Sequence, residues 1–341
     1  MRPRGRPLPR GRRGGRTFTR RHGARRAGRI DQGGFMTDTP LRLSAEVSSA
    51  LADGTPVVAL ESTIFSTLGL PAPHNGEALR RCVTAIRDGG AVPAITAIVD
   101  GAWRVGLDAG EEERILAADA KVAERDLAVA AAQRWPVGAT TVSATVALAH
   151  RVGISVFATG GIGGVHRGVE VSGDISADLD ALANHPVITV CAGAKAFLDL
   201  PRTLEYLETA GVPVLGWRHD DFPAFYTRSS GLRVPHRVTD ADEVARVLTY
   251  RSRPDSGVLL TVPIPAPAEL DGDELTAKLD AALAACAEAG VTGAAVTPYV
   301  LGRLEAETDG ASVPANLALA ENNARVATEV AKAVASLATT S

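Results

Sequence analysis

The chain has 341 residues, 45% of them apolar and 22% charged, enough to bury a substantial core as one large domain or two smaller ones. Its formal net charge of −3 hides an asymmetry: residues 1–35 hold 12 arginines and one acid, leaving 24 basic and 38 acidic residues to the remainder. An acidic body argues against a general nucleic-acid surface, and no apolar run approaches the roughly 18–20 residues of a membrane span. Three scattered cysteines without ligand spacing fit a reduced, cytoplasmic setting.

Residues 1–40 form an Arg/Gly/Pro-rich head with almost nothing to bury, which reads as disordered. Its composition lacks the Ser enrichment and apolar stretch of a targeting segment, and Met36 opens an ordinary start, MTDTPLRLSAEV. Residues 41–341 read as a single domain. Leu41–Leu51 has the pattern of a short amphipathic helix, and Pro56–Leu60 (PVVAL) that of a buried strand ending at Glu61. A helix over Glu77–Asp88 stops at Gly89–Gly90. Ala94–Val99 and Trp103–Val105 flank an Asp100–Gly101 turn as a hairpin. Glu111–Ala132 is largely helical with an interruption near Lys121–Asp126, and Thr141–Arg151 is helical. Ile154–Ala158, Val187–Cys191, Val212–Trp217 and Gly257–Val262 repeat the buried-strand pattern. Helices fill Asp199–Ala210, Ala241–Tyr250, Asp273–Ala289 and Ala315–Ala335. Strands alternating with helices predict an α/β fold, three layers α/β/α, with a mainly parallel central sheet that the hairpin makes mixed.

Sites in such folds gather past the carboxyl ends of strands, and three strand ends and one later segment carry chemistry here. Glu61, after four apolar residues, is either a carboxyl whose raised pKa suits a general acid or a helix-capping carboxylate. ATGGIGGVHRG (Ala158–Gly168) offers glycines whose amides can close on an anion, with Thr159, His166 and Arg167 as polar partners; it is also compatible with a plain turn. Ser172–Asp178 gathers Asp174, Ser176 and Asp178, oxygen donors for a hard cation or an N-capping segment with Ser176 or Asp178 as the cap. VITVCAGAK ends in Lys195, where desolvation favours a free, nucleophilic amine, unless the stem merely covers apolar surface. Only four lysines stand against 32 arginines, and arginine cannot form a Schiff base. Lys121 sits in the charged stretch DAKVAERD and by itself reads as a surface lysine. Lys278 and Lys332 lie on amphipathic helices. Glu321–Asn322–Asn323–Ala324 presents adjacent amides that suit a pyrimidine edge or solvent equally.

Taken together, ALESTIFS (Ala59–Ser66), GATTVSAT (Gly138–Thr145), ATGGIGGVHRG, DISADL (Asp174–Leu179), CAGAK (Cys191–Lys195), YLETAGVP (Tyr206–Pro213), PIP (Pro263–Pro265) and ENNAR (Glu321–Arg325) resemble the pseudouridine-5′-phosphate glycosidase family, also called indigoidine synthase A-like. The resemblance spans Val57 to Ala331 and implies a homotrimer with a Mn²⁺-type divalent ion. By position it implies Lys195 as Schiff-base nucleophile, Glu61 as proton donor and Asp174 as metal ligand. Ser176, Ala177 and Asp178 match a stretch contacting ribose phosphate. Lys121 matches a substrate-binding lysine, Val142 a backbone contact, and His166 and Asn322 polar residues of the pocket. Ala123–Glu124 replaces the usual Ser-Arg, Val262 a usual Asn, and Ala294 a common Lys. The implied reaction cleaves pseudouridine 5′-phosphate to uracil and ribose 5-phosphate. Trapping C1′ of the opened ribose as an iminium on Lys195 makes the cleavage accessible, with Glu61 passing a proton to the departing base carbon. Two rivals share features: a Schiff-base aldolase or lyase for ribose phosphates, and a non-catalytic nucleotide-binding module that would tolerate loss of Lys195.

Overall fold

Short Val/Ile/Leu runs between capped helices give an alternating order, and the computed structural model, which describes residues 40–291 and 293–340, shows how it closes up. The Arg-rich head and the start at Met36 lie outside the described residues. The strands are β1 (Leu41–Leu43), β2 (Val57–Leu60), β3 (Val92–Val99), β4 (Ala102–Val105), β5 (Lys121–Val122), β6 (Val137–Thr140), β7 (Val156–Ala158), β8 (Ile188–Cys191), β9 (Val214–Trp217), β10 (His236–Val238) and β11 (Val258–Thr261). They make one sheet, ordered β1-β4-β3-β2-β7-β8-β11-β9-β10, with β6 on β3 and β5 on β6. Among these pairings only β3 with β4 and β3 with β6 are antiparallel. The sheet is therefore mixed and mainly parallel.

The helices are α1 (Ala45–Ala52), α2 (His74–Asp88), α3 (Ala109–Leu116), α4 (Leu127–Ala132), α5 (Val142–Val152), α6 (Val169–Ser172), α7 (Ala177–Asn184), α8 (Leu200–Ala210), α9 (Ala241–Tyr250), α10 (Gly272–Glu288), α11 (Val296–Glu307) and α12 (Ser312–Thr340). α12 packs with α2 and α9 on one face of the sheet, and α5 with α7 and α8 on the other. Every residue of β2, β7, β8 and β11 is buried, as strands covered on both faces must be. Side chains of Asp108, Ser176, Asp199, Asp240 and Asp271 accept first-turn amides of α3, α7, α8, α9 and α10, each such cap stabilising by about 1 kcal/mol.

Strands β6 and β10 and helix α11 form where the sequence reading has no element, and two further stretches differ from the expectation. Leu41–Leu43 is a strand paired in parallel with β4, and the helix begins only after Ser44, whose Oγ accepts from Val47 N. Pairing along an available sheet edge outweighs the helical pattern there. Glu111–Ala132 breaks more sharply than expected. A capping box between Asp108 and Glu111 starts α3, while β5 gains its strand character solely by lying beside β6.

Candidate active site

β3 offers one edge to two partners in turn. β2 runs parallel to its first half, with Leu60 opposite Ile95, and β6 runs antiparallel to its second half, with Ala139 opposite Ala97. The carboxyl ends of β2 and β6 therefore meet head to head. The amides of Ser62 and Thr63 donate to Thr140 O at 3.3 and 3.1 Å, and Thr140 N donates back to Ser62 Oγ at 2.9 Å. Beneath them the hydroxyls of Thr96, Thr140 and Thr145 are buried and bonded to one another. Glu61 projects from this junction with 8% exposure and accepts a hydrogen bond from Thr159 Oγ1, at the end of β7. Burial pushes its carboxyl above the ordinary 4.5; the charge of Lys195 and the Thr159 bond oppose that shift without cancelling it.

The glycine-rich loop after β7 and the CAGAK turn after β8 continue the sheet beyond the strands. Ile162 N donates to Gly193 O, and Lys195 N to Ile162 O, each at 3.1 Å. Gly193 has φ +82°, and a Cβ there would stand 2.1 Å from Pro223 O, so the turn that delivers Lys195 requires glycine. The Gly163 amide does not point into open space as a phosphate cradle would need. It donates to Asp178 Oδ2 at 2.9 Å, while Ser143 N donates to Asp178 Oδ1 at 3.0 Å. Ser176, not Asp178, caps α7. The buried Asp178 carboxylate thus ties the glycine loop to the first turn of α5.

These strand ends enclose a cavity of about 320 Å³. Of the residues to which the family resemblance assigns a role, Asn322 alone stays out of its wall, and of the loop's polar residues Thr159 and Arg167 also lie outside it; the neighbouring Asn323 is the buried amide, donating to Thr159 O at 2.8 Å and so bracing the turn beneath Glu61. Lys121 is no surface lysine. β5 places it in the cavity wall, where burial, and next the charge of Lys195, depress its pKa. His166, its Nδ1 3.8 Å from Asp174 Oδ2, also has a lowered pKa, chiefly through burial. Two helix N-termini open here, at Val142 of α5 and Ala177 of α7, both favourable to an anion. Arg125, on the turn after β5, adds a further cation at the rim that the sequence reading did not single out.

A smaller compartment of about 40 Å³ adjoins the first, its walls including Ile64, Gly160, Gly161, Phe225 and Asn316. Among the described residues Glu61 and Lys195 are the only ionisable ones common to both. Asn316 bonds the Tyr226 hydroxyl, and its Oδ1 is buried without a partner. Phe225 and Asn316 were also missed in the sequence. Asn316 lies within the apolar run Ala315–Ala320, where an amide is unexpected unless something faces it.

As a cation site the arrangement is sparse. Among the described residues no three His, Cys, Asp or Glu side chains gather as ligands. Asp174 remains the one oxygen donor free of backbone duty that stands beside His166. Such a site fits a hard ion that keeps most of its waters. No helix among the described residues is long and apolar enough to cross a membrane.

The family described as indigoidine synthase A like protein matches residues 46–333. A protein of Methylobacterium nodulans named pseudouridine-5′-phosphate glycosidase is 50% identical over 304 residues, 86% of this chain and 88% of its own. One of the same name from Roseiflexus sp. is 51% identical, over 87% of this chain and 96% of its own. The crystal structure of the prealnumycin C-glycosynthase AlnA in complex with ribulose 5-phosphate superposes with TM-score 0.82 at 38% identity, covering 89% of this chain and all of the other. An indigoidine synthase A-like protein from Thermotoga maritima gives TM-score 0.78 at 34% identity, covering 88% of this chain and 98% of its own. Sequence, fold and the motifs around the cavity agree: the chain belongs to the indigoidine synthase A-like, or pseudouridine-5′-phosphate glycosidase, family.

Proposed function

We propose that this chain is an enzyme that cleaves the C–C glycosidic bond of pseudouridine 5′-phosphate, giving uracil and ribose 5-phosphate, by way of an imine on Lys195. The observation that carries the reading is the position of Glu61 and Lys195 on the wall shared by the two compartments. A sugar carbon held there has, on its phosphate side, the large cavity with Lys121, Arg125 and two helix N-termini, and on its base side a small, largely apolar slot with one orphaned amide oxygen. The names of the relatives, and the sugar phosphate bound by the C-glycosynthase, support the same substrate class.

The residues then take these roles. The Lys195 amine attacks C1′, the ring C–O bond breaks, and the ring oxygen leaves as a hydroxyl. The lysine nitrogen lone pair pushes as the C1′–C5 bond parts, and C5 of the base takes a proton from Glu61. Burial keeps Glu61 protonated to higher pH than an ordinary carboxyl, as an acid in this step needs. Water hydrolyses the resulting imine and frees ribose 5-phosphate. Lys121, Arg125 and the amides at Val142 and Ala177 hold the phosphate end, and Asn316 Oδ1 accepts an N–H of the base. Asp174 would hold a divalent cation such as Mn²⁺ through one carboxylate oxygen and water. Such an ion supplies charge neutralisation near the phosphate when bound.

The test is incubation with pseudouridine 5′-phosphate and Mn²⁺, following free uracil by chromatography. Equimolar uracil and ribose 5-phosphate are expected, with Glu61→Ala inactive. Ligand binding without uracil would favour a lyase for other ribose phosphates or a non-catalytic module.

A further inference from the structure

A third cavity, about 140 Å³, lies between the Thr67–Pro71 segment and α11. It shares Leu68, Gly69, Leu301 and Asn316 with the small compartment, so the two are neighbours across those residues. Its chemistry differs from that of the large cavity. Among the described residues no cation lines it; besides the Tyr226 hydroxyl, Glu305 is its only ionisable group. The large cavity carries Lys121, Arg125, His166 and Lys195 together with Glu61, Asp126, Asp174 and Asp178.

We infer that this cavity is a second mouth, through which the free base leaves while the sugar phosphate uses the large one, where Lys121 and Arg125 lie. The inference rests on the proposed function. Once the C–C bond has parted, the sugar remains on Lys195, in the wall between the compartments, and stands across the base's way back into the large cavity. Glu305 repels a phosphate, whereas a neutral planar base can exchange hydrogen bonds with Asn316, Ser312 and the Tyr226 hydroxyl on its way out.

Gly302 of α11 tests this. It lines the third cavity at an exposed position, and a Cβ there would meet no atom within 4 Å, so larger side chains can be added at the cavity's rim without displacing backbone. Gly302→Ala, Gly302→Leu and Gly302→Trp are compared with wild type for uracil release from pseudouridine 5′-phosphate. In parallel, the rate of borohydride-trapped adduct formation from ribose 5-phosphate is measured, which needs only the large cavity. Release should slow with side-chain size, by about tenfold or more for Trp if exit becomes limiting, while trapping and melting temperature stay at wild-type values. Should Gly302→Trp melt early, the Leu variant carries the comparison. Wild-type release from a folded Leu or Trp variant, or release and trapping slowed alike, overturns the second mouth. A wild-type enzyme that frees no uracil overturns the functional reading, and this inference with it.

Discussion

Asp178→Asn separates a brace from a substrate contact. The buried carboxylate accepts Ser143 N at 3.0 Å and Gly163 N at 2.9 Å, one on each oxygen. Asparagine keeps one acceptor and turns an NH₂ toward the other amide, which is then a buried donor facing a donor. Two charge-assisted bonds of about 1.5–3 kcal/mol each become one neutral bond of about 1 kcal/mol, and the orphaned amide costs about 1–3 kcal/mol more. Relaxation recovers part of this, leaving a loss of roughly 3–5 kcal/mol, or roughly 6–10 °C in melting temperature at about 2 °C per kcal/mol for a body of this size. Differential scanning calorimetry at neutral pH, with and without ribose 5-phosphate, gives the number directly. A variant that melts like wild type but no longer binds the sugar phosphate would refute the brace and return Asp178 to the ligand-contacting role that the family resemblance implies.

Other substitutions read the remaining parts of the site. Glu61→Gln should abolish turnover and also change the pH dependence of stability. A carboxyl that binds its proton more tightly folded than unfolded contributes stability that is intact below pH 4.5 and lost as pH rises through the raised value. Urea titrations should therefore show the Gln variant gaining on wild type from pH 4.5 toward neutrality, and a constant gap would contradict the raised pKa. Asp174→Ala should lose most of its activation by Mn²⁺ and most of its sensitivity to chelator, since one carboxylate and water leave the ion little else to grip. Activity assays across a Mn²⁺ titration check this. Gly163→Ala would put a Cβ 2.3 Å from Ser176 Oγ and 2.8 Å from Asp178 Oδ2; KM for the sugar phosphate should rise and melting temperature fall together.

The central parallel strands were legible because strands buried on both faces read as unbroken apolar runs, and the rule that sites lie past their carboxyl ends leads straight to Glu61 and Lys195. Lys121 was not legible from its neighbours. β5 is two residues long and owes its place to β6, itself hidden in a Pro-Val-Gly-Ala-Thr stretch that lacks a strand pattern. The amides of α12 show a different limit. Adjacent helical residues point about 100° apart, so Asn322 and Asn323 cannot share a target, and only the packing of α12 on β7 shows that Asn323 braces the turn. Asn316 became visible only when the same packing set it against the small compartment. The double role of β3, which makes two strand ends collide beneath Glu61, is a property of pairing and has no local signature.

The central claim is that Lys195, and not Lys121, takes the sugar. Both line the large cavity, but only Lys195 also reaches the compartment assigned to the base. Borohydride added with ribose 5-phosphate, followed by intact mass and peptide mapping, tests it most directly. A single reduced adduct on the peptide containing Lys195, absent from Lys195→Arg along with turnover, is the predicted result. An adduct on Lys121, or an active Lys195→Arg enzyme with no adduct at all, would contradict it.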